Sequence, residues 1–254
     1  MAISTGRRAA PHSRTLGSRD DRVKASRGDI RRRRGNDGMD LARTLELLRD
    51  RHMAAIDPFA RDAFEEELDR LRMLRVVEDS LGIGDTLPDF ELPDGGGALW
   101  RSTALLDRGP LVLSFFRGGW CPYCEITMAA LEDARAGIAA LGASVVGICP
   151  ETPELVGATA RARGLGYPLL SDARNAYARL CGVAYELSPD HVRVHRDRKR
   201  ALPAMHGDTA WRLPLPAVYV VEPGGRVVYA FADVDPARFP EPDALLAALR
   251  TLAA

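Results

Sequence analysis

Cys121 and Cys124 stand three residues apart and carry the strongest chemical signal in the chain. They close the run Phe115-Phe116-Arg117-Gly118-Gly119-Trp120-Cys121-Pro122-Tyr123-Cys124, at the end of an apolar segment and the start of a helical pattern. On the first turn of a helix this spacing brings both sulfurs within disulfide reach. The unpaired N–H groups and dipole of a helix start stabilise a thiolate, so a thiol that titrates near ~8.5 when free falls to roughly 3.5–7 in such pairs. Gly118-Gly119 permits the sharp turn that presents the first sulfur. A strand–CxxC–helix context reads as a thiol redox centre.

Other uses of the cysteines fit less well. A zinc site needs a second ligand pair, and Cys149 and Cys181 stand alone while the five histidines are dispersed. Neither a metal nor a cofactor is expected. Cys149 ends an apolar strand, where an α/β sheet places its sites, but a lone cysteine there reads first as core packing. Cys181 reads as core or helix-end packing. Trp120 is expected to shield the pair and offer a docking surface. His206 and Trp211 fall in a long connection and read as surface loop.

The elements around the pair follow from periodicity. Leu111–Phe116 is an apolar run of strand length, residues from about Cys121 to Leu141 are helical, and Ser144–Ile148 is a second buried strand. Thr152-Pro153-Glu154 opens a further helix, Pro168–Leu170 is a short strand, and Asn175–Leu180 is helical. Residues 183–213 lack clear periodicity, and the dense charge run His191 to Arg200 reads as a solvated face. Ala217–Val221 and Arg226–Phe231 are strands joined by Pro223-Gly224-Gly225, and Glu241 to Leu252 is a closing helix. Upstream, Leu41, Leu45 and Leu48, then Phe64, Leu68, Leu71 and Leu74 after Asp57-Pro58, predict a helical hairpin over 39–80. The fold class is α/β, with a central mixed sheet flanked by helices over 81–254.

Bulk properties set outer bounds. The chain has 254 residues, 46% hydrophobic and 28% charged, with zero formal net charge. A sizeable core can be buried, and the balance does not point to nucleic acid. No apolar run reaches the ~18 residues of a membrane span, and no secretory h-region precedes the first helix. One close cysteine pair with two isolated cysteines favours a reducing compartment, so the chain is expected to be cytoplasmic. Residues 1–38, with Arg31-Arg32-Arg33-Arg34 and few large apolar side chains, read as a disordered basic tail. An anionic-surface arm and a transit peptide compete with a plain upstream extension; the extension is preferred, with Met39 as an alternative start.

Beyond these patterns, Trp120-Cys121-Pro122-Tyr123-Cys124 resembles the thioredoxin and glutaredoxin motif. The wider chain resembles the peroxiredoxin-like branch of the alkyl hydroperoxide reductase/thiol-specific antioxidant family. The matching pieces are Gly84 to Asp94, the Phe-Arg-Gly-Gly-Trp-Cys-Pro-Tyr-Cys run, Val146 to Thr152, Leu170-Ser171-Asp172 and Leu215 to Val221, together covering about 82–252. The resemblance implies a thioredoxin-like fold, a peroxide substrate, thioredoxin or another thiol donor as reductant, and a homodimer by family habit.

This chain departs from the family pattern Pro-x-x-x-Thr-x-x-Cys. In that register Cys124 is the peroxidatic cysteine, Cys121 replaces the threonine and Arg117 replaces the proline. The family's second arginine, expected before the Ala217 strand, is not evident, with Arg212 or Arg117 as substitutes. Pro216 stands where thioredoxins keep a cis-proline facing their disulfide, and Ser114 falls near the position of their buried aspartate. Cys121, first on the helix and expected to be the more exposed of the two, is the usual attacking thiol in disulfide exchange. Three functions stay open: a thiol-dependent peroxidase, which leads; a general thiol–disulfide oxidoreductase; and a redox-sensing module working through the basic tail.

Overall fold

A computed structural model describes residues 40–253 of the chain. The tail over 1–38 and Met39 lie outside the described residues. Helix α1 (Leu41–Ala55) is followed by α2 (Pro58–Met73), whose start is fixed by the Asp57 side chain accepting from Ala60 N at 3.0 Å and by Pro58 in the first turn. Then come β1 (Glu91–Pro93), β2 (Leu99–Arg101), α3 (Ser102–Leu106), β3 (Leu111–Phe115), α4 (Pro122–Ala140), β4 (Ser144–Cys149), α5 (Pro153–Arg163), β5 (Leu169–Ser171) and α6 (Ala176–Leu180). The chain continues through β6 (Ala184–Glu186), α7 (Pro189–Asp197), α8 (Leu202–Met205), β7 (Arg212–Pro214), β8 (Ala217–Val221), β9 (Val227–Ala232) and α9 (Pro242–Leu252).

The central sheet runs β5-β4-β3-β8-β9. β3, β4 and β5 are parallel; β8 lies antiparallel to β3, and β9 antiparallel to β8. β3 is buried at every position because both faces of the sheet are covered. Its side chains alternate between two cores: Leu111, Leu113 and Phe115 enter one, Val112 and then Phe116 the other. The two N-terminal helices divide between those cores. Leu41, Leu45 and Leu48 of α1 join the core under α4, whereas Phe64, Leu68 and Leu71 of α2 join the opposite one. Among the described residues no helix is long and apolar enough to cross a membrane.

Two loop assignments are corrected. The charge run from His191 is a helix, not a solvated face. Ser188 caps α7 by accepting from His191 N at 3.3 Å, and Pro189 occupies its first turn. Arg193, Arg196 and Asp197 project outward, while His191, Val194 and His195 are buried on the other side. The run looked solvated because histidine was counted with the charges; at positions i, i+3 and i+4 these three residues form one face. His206 is likewise buried rather than in a surface loop. The turn that carries it is pinned to α5 by Thr152 N donating to Met205 O at 2.9 Å. Trp211 is half-buried, with the Arg196 guanidinium 5.2 Å from its ring centroid.

α7 is held to α2 chiefly through Glu67. This buried carboxylate accepts from Arg70 Nε and Nη2 at 3.0 Å and from the Ser188 N–H at 3.3 Å; His191 Nδ1 lies 3.9 Å away. Burial works against its charge, but contacts from His191, Arg70 and Ser188 outweigh burial and hold its pKa at about 2. A depressed carboxylate stabilises the fold above its unfolded pKa. The stability Glu67 contributes is therefore present above about pH 4.5 and is lost as pH falls toward about 2. Glu67→Gln is expected to cost about 2 kcal/mol and lower Tm by roughly 4–8 °C in thermal unfolding at neutral pH, with the difference shrinking in acid.

Candidate active site

The redox pair sits where β3 ends and α4 begins. After Phe116, whose N–H donates to Ile148 O at 2.8 Å, the chain turns through Gly118 at φ +132°. A Cβ on Gly118 would lie 2.7 Å from Glu151 Oε1, and one on Gly119 would lie 2.1 Å from Thr159 Oγ1. Only glycine passes through that gap. Gly119 N donates to Glu151 Oε2 at 3.0 Å, which fixes the loop to the chain just beyond β4.

Cys121 is the residue that precedes α4, with extended backbone; Pro122 is the first helical residue, and Cys124 lies within the first turn. Both thiols are free. Cys121 is 1% exposed and Cys124 7%, which corrects the expectation that the first cysteine is the more exposed: Arg117, Trp120 and the residues above them cover it. Burial raises the Cys121 pKa, but the hydrogen bond from Cys124, the Arg117 guanidinium and the N–H dipoles of Cys124 and Tyr123 outweigh it and bring it below the ordinary thiol value. Cys124 moves the other way. Burial, donation to Cys121 and the negative charge there push it well up, although Arg117 and its backbone N–H, 3.3 Å from Cys124 Sγ, oppose this.

The candidates around the pair separate. Arg117 is buried beside both sulfurs, its guanidinium 5.5 Å from the Trp120 ring centroid. Trp120 is half-buried and packs edge-on against His195, with ring centroids 5.2 Å apart. Pro216 precedes β8 and is not among the side chains lining the cavity at the pair; no described peptide bond is cis, which corrects the cis-proline expectation. Arg212 is engaged by Glu186 at 2.7 Å and Asp208 at 3.8 Å and does not line the cavity at the pair. Ser114 is buried and donates to Ala217 O at 3.3 Å. Cys181 is core, its pKa pushed up to about 12, chiefly by burial.

Three contributors escaped the sequence reading. Glu151 is buried under the Gly118-Gly119 turn, and burial raises its pKa. The Cys149 thiol points to it, with Sγ 3.9 Å from Oε2, and is itself raised well above the ordinary value by burial and that carboxylate. His191 and His195 stack at 5.2 Å and form a roof with Phe64 and Val194. The signal that could have found them is the Ser188-Pro189 helix start followed by the His191/Val194/His195 spacing. Under the roof lies a cavity of about 40 Å³, lined by Cys121, Arg117, Trp120, Tyr123 and the roof side chains, among others. Roughly 10–15 Å³ on this measure holds one water, so the space suits a molecule of a few heavy atoms.

The family profile described as the AhpC/TSA family matches residues 83–230. The chain belongs to the AhpC/TSA family. Over 100 residues it is 39% identical to Rv1608c of Mycobacterium tuberculosis, a protein named provisionally as a peroxiredoxin, which covers 39% of this chain and 65% of that one. The chain thus matches a little under two thirds of the length of that curated relative. Among solved structures it resembles peroxidoxin BcpB from M. tuberculosis, with 28% identity, a TM-score of 0.54, and coverage of 68% of this chain and 99% of that one. Peroxiredoxin Q of Xanthomonas campestris shares the fold, with 22% identity, a TM-score of 0.52 and coverage of 69% and 99%. The fold of this AhpC/TSA member is accordingly thioredoxin-like.

Proposed function

We propose that the protein is a thiol-dependent peroxidase in which Cys121 attacks the peroxide and Cys124 resolves the product. The observation that carries this reading is the pairing of a lowered Cys121 thiol with a small, partly enclosed cavity of about 40 Å³. Such a space suits a peroxide better than a protein disulfide. The Cys121 thiolate bonds to one peroxide oxygen, the O–O bond breaks, and the leaving hydroxide or alkoxide takes a proton from solvent. Cys121 becomes a sulfenic acid. Cys124 then gives up its proton and bonds to the Cys121 sulfur, expelling water and leaving a disulfide. The two thiols have supplied the two electrons that reduce the peroxide. An external thiol donor of the thioredoxin class restores the dithiol, with no metal or cofactor in the cycle.

The N-terminal position of Cys121 and its lowered pKa depart from the family register, in which Cys124 would be peroxidatic. Arg117 takes the part of the cation beside the nucleophile. Stopped-flow mixing of the reduced protein with hydrogen peroxide tests the reading. Oxidation far faster than that of free glutathione is expected. Oxidation no faster than glutathione, with rapid exchange against insulin or glutathione disulfide, would show a disulfide oxidoreductase instead.

A further inference from the structure

The roof over Cys121 is assembled from elements far apart in sequence, Phe64 on α2 and His191, Val194 and His195 on α7, tied together at Glu67. His195 is 2% exposed, stacked on His191 and edge-on to Trp120. Neither of its ring nitrogens has a hydrogen-bond partner, and the same holds for Trp120 Nε1 and Arg117 Nε. A buried polar atom left unpaired costs about 1–3 kcal/mol, so packing alone would favour an apolar residue at position 195. Three unpaired polar side chains therefore converge on the cavity that holds the Cys121 sulfur.

We propose that His195 is a specificity-determining residue of this site: its ring limits the cavity to reagents the size of hydrogen peroxide and gives the bound peroxide a polar contact. Bulky organic hydroperoxides and protein disulfides are excluded while α7 stays on α2, so the macromolecular thiol donor gains access only when α7 moves off α2. The peroxide contact rests on the peroxidase reading above, whereas the size limit is tested without it. The charged side chains facing this volume are Arg117 from the turn after β3 and Arg198 and Arg200 beyond α7, so the cavity wall is cationic.

The test uses the reduced full chain as wild type, His195→Ala and His195→Phe, each checked by far-UV circular dichroism. Cys121 labelling, located by peptide mass, is followed with iodoacetamide and with fluorescein maleimide, both normalised to free glutathione. Wild type is expected to discriminate against the maleimide. His195→Ala raises the maleimide-to-iodoacetamide ratio by about tenfold or more, within the range a reshaped pocket supplies. His195→Phe keeps the wild-type ratio but slows oxidation by hydrogen peroxide about tenfold, with iodoacetamide labelling unchanged. A wild-type protein that labels equally well with both reagents, or a folded His195→Ala with an unchanged ratio, overturns the size limit. If His195→Ala does not fold, the wild-type ratio and His195→Phe decide. If hydrogen peroxide reacts no faster than with glutathione while the labelling ratio holds, the peroxidase reading and the peroxide contact fall and the size limit stands.

Discussion

Cys121→Ser is expected to lower the rate of oxidation by hydrogen peroxide at neutral pH by at least about 10³-fold, whereas Cys124→Ser is expected to retain the first step and accumulate a sulfenic acid. The asymmetry follows from where the two sulfurs sit on one helical turn. Cys121 ends the extended segment and receives the dipoles of the Tyr123 and Cys124 N–H groups, the Cys124 thiol proton and the Arg117 charge. Cys124, also buried, gives up its proton at higher pH because burial, its hydrogen bond to Cys121 and the charge there act against its thiolate. A serine hydroxyl at 121 leaves no thiolate there, and the Cys124 thiol, still buried, keeps a pKa raised chiefly by burial. In Cys124→Ser the nucleophile keeps Arg117 and the helix start, losing only the thiol hydrogen bond. Stopped-flow kinetics with mass spectrometry of the first turnover reads both arms. The reverse pattern, with Cys121→Ser fast and Cys124→Ser silent, would transfer the attack to Cys124, the position the family register implies.

That assignment shows where sequence reasoning stops. The strands β3, β4 and β8 and the helix α4 were legible because each is a short apolar run or an amphipathic repeat bounded by Gly, Pro or a cap. The thiol pair was legible because its spacing and its strand–helix setting are both local. Glu151 was not. It meets Gly119 across 32 positions of sequence, and nothing in Pro150-Glu151-Thr152 reveals which turn passes over it. His195 was hidden for a second reason. Its segment is dominated by arginine, and helix amphipathicity appears only when histidine is scored as apolar, as burial beside Arg117 and Arg200 forces it to be: its pKa is brought down to about 2, chiefly by desolvation. The ranking of the two cysteines also lay beyond the motif, because it depends on a buried cation and on which N–H groups point at which sulfur.

Arg117→Met is expected to raise the Cys121 pKa, because the guanidinium beside the sulfur favours the thiolate. Arg117 favours the thiolate, so its loss lowers the thiolate fraction at neutral pH and slows both alkylation and peroxide oxidation of Cys121. The deficit closes as pH rises past the new pKa, since the thiolate is then formed without help. Ring closure slows as well, because Arg117 also draws down Cys124. Arg117→Lys keeps a charge in place and restores part of the neutral-pH rate, which loss of packing alone would not allow. The Arg117 N–H bond to Cys124 Sγ is a backbone contact and survives either substitution. Stability separates a functional from a structural role. Arg117 is 5% exposed and its Nε has no hydrogen-bond partner; burial acts against its charge, but Tyr185, Cys121 and Cys124 outweigh burial and hold its pKa above the ordinary guanidinium value. Methionine of similar length removes both the desolvation cost and those favourable charge contacts, so Tm shifts little while the rate at neutral pH falls. A large drop in Tm with an unshifted Cys121 pH profile would mean that Arg117 holds the fold together and leaves the nucleophile to the helix start alone.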